Sequence, residues 1–87
     1  MNNSSLIKAF WNCGDAQIID YAIFRARLNR HEKDVIRLVL DGCNSQEQAA
    51  ERLCISVRSV QDYWSSAVRK LLSIPWVTAY AKELINK

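Results

Sequence analysis

This sequence predicts an all-α fold, a small helical bundle, on three observations. With only two glycines and one proline in 87 residues, the chain lacks the frequent turn residues that strands require. Apolar residues recur every three or four positions, the period of a half-buried helix. Ser, Asp or Asn stands before most of these runs, where a side-chain oxygen can accept the free amides of a first turn. An apolar content of 49% is enough for one modest core and not for two. Residues 1–87 are therefore expected to form a single domain, with its core at 28–72, an N-terminal helical extension over 1–27 and a C-terminal helix over 75–86.

The elements follow in order along the chain. Ser4 or Ser5 is expected to cap a first helix carrying Leu6, Ile7, Phe10 and Trp11, which stops near Cys13 and Gly14. Asp15 caps a second, with Ile18, Ile19, Ala22, Ile23 and Ala26 as its core stripe. Asn29, followed three residues later by Glu32, is a capping pattern; the third helix then buries Val35, Ile36, Val39 and Leu40 before Gly42 ends it. Asn44 or Ser45 opens a short fourth helix that runs to about Leu53. A turn at Cys54 and Ile55 leads to Ser56 and a fifth helix, Val57 to about Leu72. Pro75 suits the first turn of a last helix, Trp76 to about Ile85, with Val77, Tyr80, Ala81 and Leu84 on one broad side.

The stretch Gln46 to Ser65, QEQAAERLCISVRSVQDYWS, carries the most specific signal. As a twenty-residue helix-turn-helix unit, it places Ala50 where two helix backbones approach too closely for a larger side chain. Leu53, Ile55, Val60 and Tyr63 fall where the two helices pack. Ser56 lies between the helices, where its hydroxyl can cap the second.

Turned by about 100° per residue, the fifth helix separates into two arcs. Val57, Val60, Tyr63, Trp64, Ala67, Val68 and Leu71 form one. Arg58, Ser59, Gln61, Asp62, Ser65, Ser66 and Arg69 form the other, without a large apolar residue. Arginine can fork onto guanine, glutamine can pair with adenine, aspartate can accept from cytosine, and serines reach phosphates or bases. Short side chains at Ser59, Ser65 and Ser66 also let the backbone approach a groove. The same division suits any solvated amphipathic helix in which Arg58 and Asp62 form an i, i+4 ion pair. The packing residues ahead of the helix favour a DNA-reading surface instead. There, Asp62 must be neutralised by Arg58 or Arg69, or aimed at a cytosine amine.

The net charge of +3 is a mild bias toward polyanions. Arg25, Arg27, Arg30, Lys33 and Arg37 crowd against Glu32 and Asp34, and Arg69 and Lys70 close the fifth helix. Cys13, Cys43 and Cys54 are too few and too irregularly spaced for a disulfide framework, and no CxxC pair accompanies His31 for zinc. They are expected to be buried, reduced thiols, with no metal or cofactor. No apolar run is long enough for a membrane span or a secretory leader, so the expected location is cytoplasmic. His31, in the first turn of a helix beside Glu32, is read as solvated. With no oriented nucleophile and base and no Gly-rich phosphate loop, neither enzyme activity nor a small-molecule substrate is expected.

Leu28 with Glu32, the run Val35 to Leu40, Gly42, Glu47, Ala50, Leu53, the string Ile55-Ser56-Val57-Arg58-Ser59-Val60 and the close Arg69-Lys70-Leu71 form one pattern over about half of the chain. It resembles the LuxR/GerE-type helix-turn-helix and, more loosely, region four of the bacterial primary sigma factor family. The resemblance implies a tetrahelical DNA-binding domain of a bacterial or phage transcription regulator, with Val57–Leu72 as recognition helix. In LuxR/GerE-type proteins a helix after the recognition helix often forms the dimer contact, which would assign Trp76, Val77, Tyr80 and Leu84 to a dimer or partner surface. Two departures stand out: one extra residue between Gly42 and Ala50, and Ala49 where a larger aliphatic is common. The 27 residues ahead of the pattern are too few for a receiver or ligand-sensing domain.

The expected function is sequence-specific binding of double-stranded DNA by a transcription regulator, as a homodimer on half-sites about one helical turn apart. Arg58, Ser59, Gln61, Asp62 and Ser65 would read bases. Ser56, Arg30, Lys33, Arg69 and Lys70, with Arg25 and Arg27, would meet phosphates. The alternative is a sigma-like adaptor or protein-interaction module acting on RNA polymerase or another regulator. Phe10, Trp11, Trp76 and Tyr80 favour it if they are exposed, and count for nothing if they fill the core.

Overall fold

The Asp15, Asn29, Ser45 and Ser56 starts and the apolar stripes that follow them all become helices. A computed structural model describes residues 3–42 and 44–86. Among these are six α-helices and no strand: α1 (Asn3–Trp11), α2 (Ala16–Ala26), α3 (Arg30–Leu40), α4 (Gln46–Leu53), α5 (Val57–Leu72) and α6 (Pro75–Ile85). The fold is all-α. None of these helices is long and apolar enough to cross a membrane. By contact the chain divides into two compact units, Met1–Arg27 with Val68–Lys87, and Leu28–Ala67, the division falling inside α5.

In the first unit α1 lies against α6. Leu6, Ile7, Phe10 and Trp11 are buried, as are Ile19, Ala22 and Ile23 of α2, and Val77 and Ala81 of α6. Phe10 is fully buried and meets the rings of Trp76 and Tyr80 edge-on, with centroids 6.2 and 6.1 Å away. These edge-to-face contacts add to the area that the ring removes from water. The expected cap at Ser4 or Ser5 does not form, because both serines lie inside α1, which already begins at Asn3. Asp15 caps α2, its Oδ1 accepting from the amides of Gln17 and Ile18 at 3.0 and 3.3 Å. Pro75 occupies the first turn of α6, and Thr78 donates its hydroxyl to the Leu72 carbonyl at 2.7 Å.

The second unit is built on reciprocal caps. Asn29 Oδ1 accepts from the Glu32 amide at 2.8 Å, and Glu32 Oε1 accepts from the Asn29 amide at 2.9 Å. Of the two starts expected for α4, the cap is Ser45, paired in the same way with Gln48. Asn44 serves the preceding helix instead, donating Nδ2 to the Leu38 carbonyl at 2.9 Å. A Cβ on Gly42 would stand 2.5 Å from that Nδ2 and 2.8 Å from the Leu38 oxygen, so glycine is required here for close approach. Val35, Ala49, Ala50 and Val60 form the buried cluster, with Leu38, Val39, Leu53, Ile55, Val57, Tyr63 and Trp64 packed on it. Ala49, one of the two departures from the resembled pattern, is fully buried.

Cys54 ends α4 in the left-handed region, at φ 56° and ψ 41°, its amide donating to the Ala50 and Glu51 carbonyls. This conformation costs a non-glycine residue roughly 1–2 kcal/mol, of which glycine's greater unfolded-state freedom returns a part. The side chain is exposed, so little packing is lost with it. Cys54→Gly is expected to raise Tm by about 3–6 °C. A thermal melt showing an equal or lower Tm would contradict this.

The cysteines depart from the expectation of burial. Cys54 is exposed and Cys13 half-buried, because both sit in turns at helix ends rather than on core stripes. Cys43 lies outside the described residues.

Candidate nucleic-acid interface

α4 and α5 are joined by three residues, Cys54, Ile55 and Ser56. The left-handed Cys54 reverses the chain at the end of α4. Ile55 turns back onto the core, its amide donating to the Ala50 carbonyl at 3.1 Å. Ser56 then starts α5: its Oγ accepts from the Ser59 amide at 3.1 Å, and its carbonyl accepts from the Val60 amide at 3.1 Å. Ala49 and Ala50 are buried in one cluster with Val60, on which Leu53, Ile55 and Tyr63 pack.

This anchoring leaves one face of α5 open. Arg58, Gln61, Asp62 and Ser65 are all exposed, and their i, i+3, i+4 and i+7 spacing aligns them in a stripe about 10 Å long. The structure records no ion pair between Arg58 and Asp62, so the self-contained i, i+4 pairing does not form. Both groups are presented to solvent. Ser59 is half-buried and tied to Ser56, whose hydroxyl donates to the Ser59 Oγ at 2.9 Å. The Ser56 proton is thereby engaged within the turn.

Ser66 is a correction. It falls about 80° round the helix from Arg58, on the flank beside Tyr63, and its hydroxyl donates to Glu32 Oε2 of α3. Glu32 is 1% exposed, so this link is an internal tie rather than part of the open face. On the same flank His31 stacks on Tyr63, with centroids 5.1 Å apart and planes 17° from parallel. His31 is exposed, as expected. Neither contact was visible in the sequence, because Ser66 and Glu32 are 34 residues apart.

Of the expected phosphate contacts, Arg30 and Lys33 are exposed on the first turn of α3, and Arg30 Nε stands 4.0 Å from Asp34 Oδ2. Arg69 is exposed and Lys70 half-buried on the last turn of α5, in the other unit. Arg25 and Arg27 are exposed in that unit too. Arg52, a further cation not among the expected contacts, is exposed on the last turn of α4. The unit Leu28–Ala67 sets Arg30, Lys33, Arg37, Arg52 and Arg58 against Glu32, Asp34, Asp41, Glu47, Glu51 and Asp62. The basic excess of the chain therefore resides in the first unit.

The expected partner surface on α6 is also revised. Val77 is fully buried and cannot meet a partner. Tyr80 and Leu84 are half-buried, while Trp76 is exposed. Phe10 and Trp11 fill the core and lend no weight to an aromatic docking surface. Among the described residues no group of three or more His, Cys, Asp or Glu side chains is placed to hold a metal ion.

No known protein family, characterised protein or solved structure matches this chain.

Proposed function

We propose that this protein is a sequence-specific DNA-binding transcription regulator whose α5 enters the major groove as the second helix of a helix-turn-helix. The observation that carries this reading is the exposed stripe Arg58, Gln61, Asp62 and Ser65, on a helix capped by Ser56 and seated on two buried alanines. Each member has a base-edge partner in the major groove, and Arg58 is free of an intramolecular ion pair to fork onto guanine. Arg30, Lys33 and Arg52 supply the phosphate contacts that the unit Leu28–Ala67 can offer.

Few cations imply a shallow dependence on salt. With three or four phosphates neutralised, the logarithm of duplex affinity should fall against the logarithm of salt concentration with a slope of about −3. Fluorescence titration of a labelled duplex across a salt series measures it. A slope near zero would remove the DNA reading.

The acidic balance of Leu28–Ala67 favours a second reading, a protein-binding module that docks on RNA polymerase or another regulator. Its binding would be carried by apolar area outside that unit, where Tyr21, Phe24 and Trp76 are exposed, and would hold as salt rises.

A further inference from the structure

The outward face of α2 carries a row of residues of which DNA binding was expected to use only Arg25. Gln17, Tyr21, Phe24 and Arg25 share one side of the helix. Tyr21 is 53% exposed and Phe24 75% exposed, large apolar surfaces for a chain this small. Trp76 of α6, 37% exposed, stacks on Tyr21 with ring centroids 5.9 Å apart. Beside them Asp15, Gln17, Ile18, Tyr21, Trp76 and Tyr80 line a shallow, mostly apolar groove of about 580 Å³. The face thus bears a knob, Phe24, at the C-terminal end of α2 and a groove at its N-terminal end.

We propose that this face binds a second copy of the same chain, the two α2 helices running antiparallel about a two-fold axis at Tyr21. A two-fold interface needs a patch that complements itself, and three features of this one do. Phe24 and Ile18 lie about 9 Å apart along the helix, on opposite sides of Tyr21. A two-fold axis between the copies at Tyr21 therefore brings each Phe24 level with the N-terminal half of the other copy's α2, against its Gln17 and Tyr21. The charges exchange as well: Asp15 stands at one end, with Arg25 and Arg27 at the other. Asp15 uses Oδ1 for the cap, which leaves Oδ2 for an arginine. Arg25 and Arg27 are exposed and form no ion pair among the described residues. Finally, Gln17 falls opposite Arg25 of the second copy, where its amide oxygen can accept. This surface keeps Trp76 and Tyr80 of the α6 surface expected from sequence, from which Val77 is withdrawn, and it does not depend on DNA binding.

Sedimentation equilibrium of the full chain tests it. The average mass should climb from the 10.0 kDa monomer toward twice that value as concentration rises. Phe24→Ser should hold the chain at the monomer mass. Arg25→Glu brings two carboxylates together at each end and should weaken dimerisation about tenfold, while Arg25→Glu with Gln17→Lys should recover most of the loss. All three positions are exposed, so helicity by circular dichroism should match the wild type. A chain that stays monomeric at every concentration overturns the proposal. So does a dimer indifferent to Phe24→Ser, since it would use another surface.

Discussion

Glu32→Ala is expected to cost about 2–3 kcal/mol of stability, a large share of the roughly 5–10 kcal/mol available to a domain of this size. The carboxylate is 1% exposed and does two jobs at once. Through Oε1 it accepts the Asn29 amide and closes the reciprocal cap of α3; through Oε2 it accepts the Ser66 hydroxyl and ties α3 to α5. Alanine leaves both donors without that acceptor in a part-buried place, and removes packing besides. Tm should drop by roughly 10–20 °C. Glu32→Gln keeps a carbonyl oxygen for the cap, and the Ser66 hydroxyl can turn to accept from the new amide. It should therefore lose about half as much. Urea unfolding of the three chains checks the order. A loss below about 1 kcal/mol for alanine would show that the tie contributes little.

Arg58→Ala should behave in the opposite way, leaving stability within about 0.5 kcal/mol while removing about 1–3 kcal/mol of specific DNA affinity, roughly 5- to 150-fold. The side chain is exposed and without an ion pair, so the fold does not use it. A bidentate arginine reads one base pair, so the loss should concentrate at one position of the site. Binding to unrelated duplex should fall only slightly. Equal titration curves for wild type and variant on the preferred duplex would exclude Arg58 from base reading.

The parts of this structure that were legible in the sequence are those decided within four residues. Asp15, Asn29 with Glu32, and Ser56 cap as their spacing indicates, because a cap is a contact between neighbours. The bounds of α4 and α5 followed from Ser45 and Ser56 and from the apolar period between them. The burial of Ala50 and Val60 followed from the same pattern. What escaped depends on distant partners. Ser66 sits at the border of the polar arc, where a serine is equally at home in solvent or against another helix, and only Glu32 of α3 decides which. Val77 belongs to an apolar stripe that a second chain or the chain's own core could bury equally well, and here it is fully buried. Cysteine is so often buried that the residue type at Cys54 points to the core. The geometric demand at that position is for a left-handed residue, which cysteine does not advertise. Tyr21 and Phe24 lie off the core stripe of α2 and are exposed, which the period of that stripe does not single out.

Selection of bound fragments from random duplex DNA tests most directly whether the open face of α5 reads base edges. An enriched motif is expected, with one guanine position that loses its preference when the selection is repeated with Arg58→Ala. A chain that enriches no sequence at low salt, or one whose motif is unchanged by Arg58→Ala, Gln61→Ala and Ser65→Ala together, would contradict it.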